Sequence, residues 1–461
     1  ALLMGGFVAM HPEAVNLQPH ISFATAAGMV LVLSLLVAIL LSPRSAAAIL
    51  VALVYLNLSD VLIRAFGIPS LLQFLALPLF ISGWVHHGRG IIHRVLGEPL
   101  TWALAGYALL GLASSTWADQ TALADARSQE FLKALTLYGL VVLLVTTPRR
   151  ARVAAWTMVG CGAFLGILSL AQLVMGTQEA FAGLARARYG QIYGDVFGLR
   201  LSGPLGDPNF FAQILLSLVP LAMALLWMES TKRARFWAGA SLLLILAATT
   251  MTYSRGGAIA LGFVLVASFA AHGFHRRKIA LVAIPILLAA VLLIPGEFRE
   301  RITTMGQWFA EDAVLVDTDS SVEERLVLMG TAWEMWMANP LLGVGVGNYT
   351  ARFGEYAERF GSVARDYEDP DAVRYPHNLY LEVGAETGSI GLALFLGSLL
   401  LAFWSLGRGR GLLLRAGEKR VAALAQGFQI SVAGYMMSSL FLHGDFERYL
   451  WLLMGMAGVL H

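Results

Sequence analysis

Apolar runs of about 20 residues, separated by short polar breaks, set the pattern of this chain. A run of that length crosses about 30 Å of hydrocarbon as a helix, and a helix satisfies its own backbone polar groups there. The pattern predicts thirteen spans: 22–41, 46–62, 68–85, 99–115, 131–147, 153–175, 208–228, 235–252, 256–272, 279–295, 378–405, 421–441 and 446–461. Residues 1–10 read as a further partial span. The chain thus divides into N-terminal helices over 1–175, a loop at 176–207, central helices over 208–295, a large loop at 296–377 and C-terminal helices over 378–461. The expected fold is an all-α, polytopic integral membrane protein with about 12–14 transmembrane helices and one large extramembrane loop subdomain.

Composition agrees with the pattern. Of 461 residues, 57% are hydrophobic and 13% charged, against about 25% charged in an ordinary soluble domain. The mean hydropathy is +0.69. The net charge of +2 hides an asymmetry that sets orientation. With spans alternating, six basic clusters fall on one side: Arg44; Arg89 and Arg94; Arg149, Arg150 and Arg152; Lys232, Arg233 and Arg235; Arg276, Arg277 and Lys278; and Arg408, Arg410, Arg415, Lys419 and Arg420. Only Glu98, Glu229 and Glu418 accompany them, so this side is cytoplasmic by the positive-inside rule. The charge says nothing of nucleic acid. The single cysteine, Cys161, lies within a span, which excludes an internal disulfide and a thiolate metal cluster. No cleavable signal peptide is apparent, and the first span is expected to act as the targeting signal.

Three polar regions face the other side. The first ends in Gly198-Leu-Arg-Leu-Ser-Gly-Pro-Leu-Gly-Asp-Pro-Asn209, where Asp207-Pro208-Asn209 has the form of a cap and first helical turn. The second is the short turn Thr252-Tyr-Ser-Arg-Gly-Gly257. The third is the 296–377 loop, in which 323–338 reads as an amphipathic helix stopped by Asn339-Pro-Leu-Leu-Gly-Val-Gly-Val-Gly-Asn348, with a second amphipathic stretch at 349–368. The glycines at 343, 345 and 347 are spaced GxGxG without a strand–turn–helix unit, which argues against a nucleotide loop. No P-loop, GxSxG elbow, HExxH or Cys/His cluster is present, so neither a cofactor nor a metal is expected.

The loop closes on Tyr375-Pro-His-Asn-Leu-Tyr380, which leads straight into a span. His377 therefore sits where water meets hydrocarbon and is a candidate general base, or simply a helix cap. Arg200 and Arg255 lie beside Gly-rich turns on the same side. Each alone is equally an anchor to lipid phosphate, but together they offer planar bidentate donors to a phosphate-bearing ligand. Glu382 follows one turn after His377, four residues before Glu386 on one helix face, where it can orient the ring, bind sugar hydroxyls or pair with Arg. Arg325 opens the loop helix and has Glu323 and Asp319 as ordinary partners.

The ordered motifs Arg200-Leu-Ser-Gly-Pro-Leu-Gly-Asp-Pro-Asn-Phe-Phe-Ala212, Tyr253-Ser-Arg-Gly256, Arg325 with Asn339-Pro-Leu-Leu-Gly-Val-Gly-Val-Gly-Asn-Tyr349, and Pro376-His-Asn-Leu-Tyr-Leu-Glu382 with Gly388-Ser-Ile-Gly391 resemble the O-antigen ligase and O-antigen polymerase superfamily of bacterial membrane glycosyltransferases. The resemblance spans about residues 200–400. It implies an inner-membrane enzyme with its site facing the periplasm. The implied reaction is inverting, metal-independent transfer from an undecaprenyl-diphosphate-linked glycan to a sugar hydroxyl of lipid A-core. His377 is implied as base, Arg200 and Arg255 as holders of the diphosphate, with Arg325 and Glu382 in a second tier. A second lipid-linked repeat as acceptor would make the protein a polymerase instead, and some superfamily members are assigned to inorganic-carbon transport. The family is described with twelve spans and both ends cytoplasmic, whereas the span count here is odd and sets the N-terminus outside.

Overall fold

The computed structural model describes residues 23–88, 90–193, 196–272, 320–357, 374–444 and 447–459. The predicted span at 279–295 and the partial span at 1–10 lie outside these residues, as does much of the 296–377 loop. The described helices run in the order α1 (Phe23–Leu41), α2 (Pro43–Tyr55), α3 (Leu58–Phe66), α4 (Leu71–His87), α5 (Gly90–Gly97), α6 (Pro99–Ser114), α7 (Thr121–Leu144) and α8 (Pro148–Met175). A small sheet follows, with β1 (Glu179–Ala180), β2 (Ala185–Tyr193) and β3 (Val196–Leu201). Then come α9 (Pro208–Met228), α10 (Lys232–Thr250), α11 (Arg255–His272), α12 (Ser320–Ala338), α13 (Tyr349–Ala357), α14 (Leu379–Arg415), α15 (Lys419–Ser438) and α16 (Arg448–Ala457).

This is an all-α polytopic membrane protein. Among the described residues α8, α9 and α14 are each long and apolar enough to cross a bilayer alone, while α4, α6 and α11 are shorter apolar helices. Large apolar side chains remain on the outside, with Val174 90%, Val266 70%, Phe74 68% and Phe236 66% exposed. A surface of that kind needs hydrocarbon around it. Two expectations are corrected. The span predicted at 46–62 is broken between α2 and α3, which meet at 58°, because Asn57 takes a left-handed backbone (φ 50°) that a continuing helix does not allow. The 176–207 loop is an antiparallel three-stranded meander in the order β1-β2-β3, short enough to be hidden among its glycines.

Helix α9 is the axis of the bundle and packs on α8, α10, α11 and α15. Its approach to α15 is close because Gly427 has no side chain there: a Cβ would stand 3.1 Å from the Pro220 carbonyl and 2.9 Å from the Ala224 methyl. Small residues at such crossings let backbones touch where no hydrophobic drive separates helix from lipid. The two ends of the bundle differ in chemistry. At one end Arg152 grips Glu229 with two 2.6 Å bonds, and Arg235 Nε donates to the Glu229 carbonyl at 2.7 Å. At the other end the sheet, the 251–254 turn and the starts of α9, α11 and α14 converge.

The Gly-rich turn after α12 splints a break in α14. Gly388 lies in a region open only to glycine (φ 65°, ψ −169°), so the helical ladder opens there. The freed groups find replacements in the turn. Ser389 N donates to the Pro340 carbonyl at 2.8 Å and Ile390 N to Leu341 at 3.3 Å, while Val344 N and Gly345 N donate to the carbonyls of Ala385 and Glu386 at 3.0 and 2.9 Å. In a membrane these four groups have no water to fall back on. The Glu386 carboxylate adds bonds to the amides of Gly347 (2.8 Å) and Tyr349 (3.2 Å). The turn also binds the start of α7, since Gln120 N donates to Asn348 Oδ1 at 2.8 Å. A Gly388→Ala Cβ would meet the Leu341 carbonyl at 2.2 Å. That substitution is expected to cost at least about 1–3 kcal/mol from the backbone alone, read as a lowered thermal midpoint of the detergent-solubilised protein. An unchanged midpoint would show that the break tolerates a side chain.

Candidate active site

Arg200 sits one residue before the end of β3 and is fixed from three directions. Its Nε donates to the Thr252 carbonyl at 3.1 Å, and its Nη2 reaches Asn209 Oδ1 at 3.4 Å and the Tyr253 carbonyl at 3.5 Å. The strand is itself held, since Leu201 N donates to the Met251 carbonyl at 3.1 Å. Asn209 is in the first turn of α9, whose cap Asp207 accepts from Asn209 N and Phe210 N at 2.8 and 3.2 Å. Arg255 opens α11 just after Tyr253, a left-handed residue (φ 50°). A cation at a helix N-terminus opposes the macrodipole, which leaves that corner suited to an anion. Burial lowers the Arg200 pKa to about 10; Asp207 counters the shift, while Arg325, Arg255 and Arg188 add to it. The predicted Arg200, Arg255 and Arg325 are therefore brought into one electrostatic group.

His377 is half-buried and has a left-handed backbone (φ 49°), unusual for a residue with a Cβ. The turn it makes is locked by Asn378, whose Oδ1 caps α14 by accepting from Tyr380 N and Leu381 N at 3.1 and 3.0 Å, and whose Nδ2 donates to the Leu440 carbonyl at 3.2 Å. Burial first, and then the charge of Arg325, push the His377 pKa down to about 4, with Asp207 opposing. The ring is neutral at neutral pH, and among the described residues its buried Nδ1 has no hydrogen-bond partner. The ring is thus a proton acceptor in the field of a cation, available in its neutral form but weaker as a base than an ordinary imidazole.

The structure adds a second histidine that the sequence reading passed over. His443 stacks on Tyr375 with ring centroids 3.9 Å apart and 6° between planes. It meets His377 edge-on at 5.5 Å and Phe210 at 5.0 Å. Its Nδ1 is also buried without a partner, and burial, then His377, Arg127 and Arg325, hold its pKa well below the ordinary value. The signal available in the sequence was a His in the short break between two apolar runs at 421–441 and 446–461, on the same side as His377. Glu382 supports this second ring: its Oε2 accepts from Gly444 N at 2.7 Å, and its Oε1 lies 3.8 Å from Arg127 of α7. Glu386, its neighbour on the helix, belongs to the splint described above. Among the described residues no group of three His, Cys, Asp or Glu side chains is placed to hold a metal ion.

Residues 240–396 match the family model described as O-antigen ligase. The match supports the O-antigen ligase and polymerase superfamily for that segment of the chain. The matched domain contains Arg255, Arg325, His377 and Glu382, together with the splint and the Gly388 break, while Arg200 and His443 lie outside it. A search of curated proteins returned no match. Among solved structures, a chain from a work on polymerization and crosslinking by a peptidoglycan synthase complex is 18% identical, with a TM-score of 0.40 over 78% of this chain and 96% of that one. A similarity at that level carries no argument. The O-antigen ligase domain supports glycosyl transfer of the ligase and polymerase type in general.

The two depressed histidines have a consequence for stability. Their folded pKa values lie below the ordinary value of about 6.5, so the unfolded chain binds more protons and folding stability falls as pH drops below about 6.5. His443→Phe keeps an aromatic ring against Tyr375 and removes one of the two protons. The thermal midpoint of this variant, followed by scanning fluorimetry, is expected to fall less steeply than wild type between about pH 6.5 and 4.5. Parallel curves would mean that His443 carries none of the effect.

Proposed function

We propose that this O-antigen ligase-domain protein is an inverting, metal-independent glycosyltransferase of the bacterial inner membrane, with its site on the periplasmic face. The donor is an undecaprenyl-diphosphate-linked glycan and the acceptor a sugar hydroxyl of lipid A-core. The observation that supports the reading is that Arg325 and Asp207 act electrostatically on both the neutral His377 and Arg200, which ties the histidine to the arginine group. His377 takes the proton of the acceptor hydroxyl as its oxygen bonds to the anomeric carbon. The bond from that carbon to the diphosphate oxygen breaks, and the electron pair leaves with the lipid diphosphate. Arg200 and Arg255 stabilise the negative charge that grows on the leaving group, a task for cations fixed before the reaction begins. Glu382, through Gly444, and Tyr375, through the stack, support the ring facing His377.

Purified protein supplied with lipid-diphosphate glycan and lipid A-core is expected to transfer glycan, and His377→Ala to lose at least about 100-fold of that rate while still binding donor. Full activity in the variant would overturn the mechanism. Lipid-linked repeats given as sole acceptor separate ligase from polymerase. The pH profile supplies a second test. Protonating His377 removes the base, so kcat/KM, which reports the free enzyme, is expected to hold from neutrality downward and fall with an apparent pKa of about 4. The kcat limb lies higher, because the bound diphosphate places negative charge beside the ring. A kcat/KM limb at about 6.5 would assign the base to another group.

A further inference from the structure

The β-hairpin carries more cation than a leaving diphosphate uses. Arg188 and Arg200 are paired directly across β2 and β3, and Arg186 stands two residues along β2. Alternation puts all three on one face. The next pair on that face is Gly190 opposite Gly198, so bare backbone continues beyond the arginines. Like charges directly opposed across a sheet are destabilising, which singles out this face as one built for an anion.

The individual contacts separate a second centre from the first. Arg200 is turned inward onto the 252–253 turn. The Arg188 side chain is 67% exposed and reaches Asp207 only at 4.0 Å, the other oxygen of that carboxylate being spent on the α9 cap. Arg186 stands across from Glu179 in the register of β1 and β2 and feels its charge, yet among the described residues its buried Nε has no hydrogen-bond partner. Its guanidinium lies over Gly206, where a Cβ would come within 1.6 Å of Nη2, so the planar group has a seat that any other residue would fill. Arg64 arrives from α3, donates to the Pro204 carbonyl at 2.7 Å and interacts electrostatically with Arg186.

We propose that Arg64, Arg186 and Arg188 form a second anion subsite, adjacent to the Arg200 group, that receives a phosphate carried by the acceptor glycolipid. This rests on the glycosyl-transfer reading for the identity of the ligand, though the subsite itself does not. Two lipid substrates must lie side by side for a hydroxyl of one to reach the anomeric carbon of the other, and each is anchored at the bilayer edge by its own phosphate. Fork-shaped guanidinium donors are the groups that bind such phosphates bidentately.

The test uses the full chain in phosphatidylcholine nanodiscs. Titration with geranyl diphosphate is expected to fill two sites in the wild type and one in Arg186→Gln/Arg188→Gln, with an unchanged thermal midpoint confirming that the variant folds. In transfer assays the same variant is expected to raise KM about tenfold or more for a phosphorylated glycolipid acceptor, the effect of losing a charge-assisted bond. Donor KM and transfer to the phosphatase-treated acceptor change by clearly less than the KM for the phosphorylated acceptor. Displacement of one equivalent of probe by a glycolipid monophosphate marks a ligase-type acceptor, and displacement by lipid-linked diphosphate repeats alone marks a polymerase-type one. A single site in the wild type, two sites retained in the variant, or equal losses with both acceptors would overturn the subsite and leave these arginines as anchors to bilayer headgroups. Two sites in a wild type that transfers no glycan would uphold the subsite and sink the glycosyl-transfer reading.

Discussion

The Arg200 guanidinium joins three pieces of chain at one end of the bundle. It binds the Thr252 and Tyr253 carbonyls between α10 and α11, the Asn209 amide at the start of α9, and through its own strand the β-hairpin. A buried cation is costly unless its donors are taken up. Here neutral carbonyl and amide oxygens take them up, and Asp207 opposes the charge only from a distance. That choice of partners distinguishes this end from the opposite end, where Arg152 is neutralised by Glu229 at 2.6 Å. One arginine is closed into an ion pair and the other is held open. Tyr253, whose carbonyl accepts from Arg200, and His377, whose neighbour Asn378 caps α14, both take a left-handed backbone.

Much of the helical frame was legible in the sequence, because a membrane leaves few ways to arrange twenty apolar residues. The starts of α9 and α14 could be read from Asp207-Pro208 and from Asn378, whose capping geometry is entirely local. The gathering of Arg200, Arg255 and His377 at one end followed from counting loops, since alternation alone decides the side. What escaped was whatever depends on contact between distant segments. The β-meander is a pairing of short strands with no apolar period of its own. The bend at Asn57 sits inside a stretch apolar enough to read as one span. His443 acquires meaning only against Tyr375, which comes far earlier in the chain and belongs to a different break.

The Gly-rich turn at 343–347 shows how a motif misleads when taken apart from its neighbour. Its glycines resemble those of a phosphate-cradling loop, because both tasks require backbone to approach something closely. The object approached here is another backbone. A Cβ on Gly343 would lie 2.4 Å from the Glu386 carbonyl carbon, and the amides that follow serve α14 at the Gly388 break. Residues far from the histidines in sequence thus set the direction in which α14 leaves the Asn378 cap.

The Arg127–Glu382–Gly444 tie has a bearing on biogenesis. It joins α7, the first turn of α14 and the turn before α16, so the surroundings of Glu382 are completed only when a late segment of the nascent chain has emerged and docked. During synthesis from N- to C-terminus, His377 enters the bilayer edge before His443 exists. A ribosome-bound chain that has inserted through α14 carries His377 without the ring that stacks against Tyr375. Three segments far apart in the chain are in this way locked to one another only at the end of insertion.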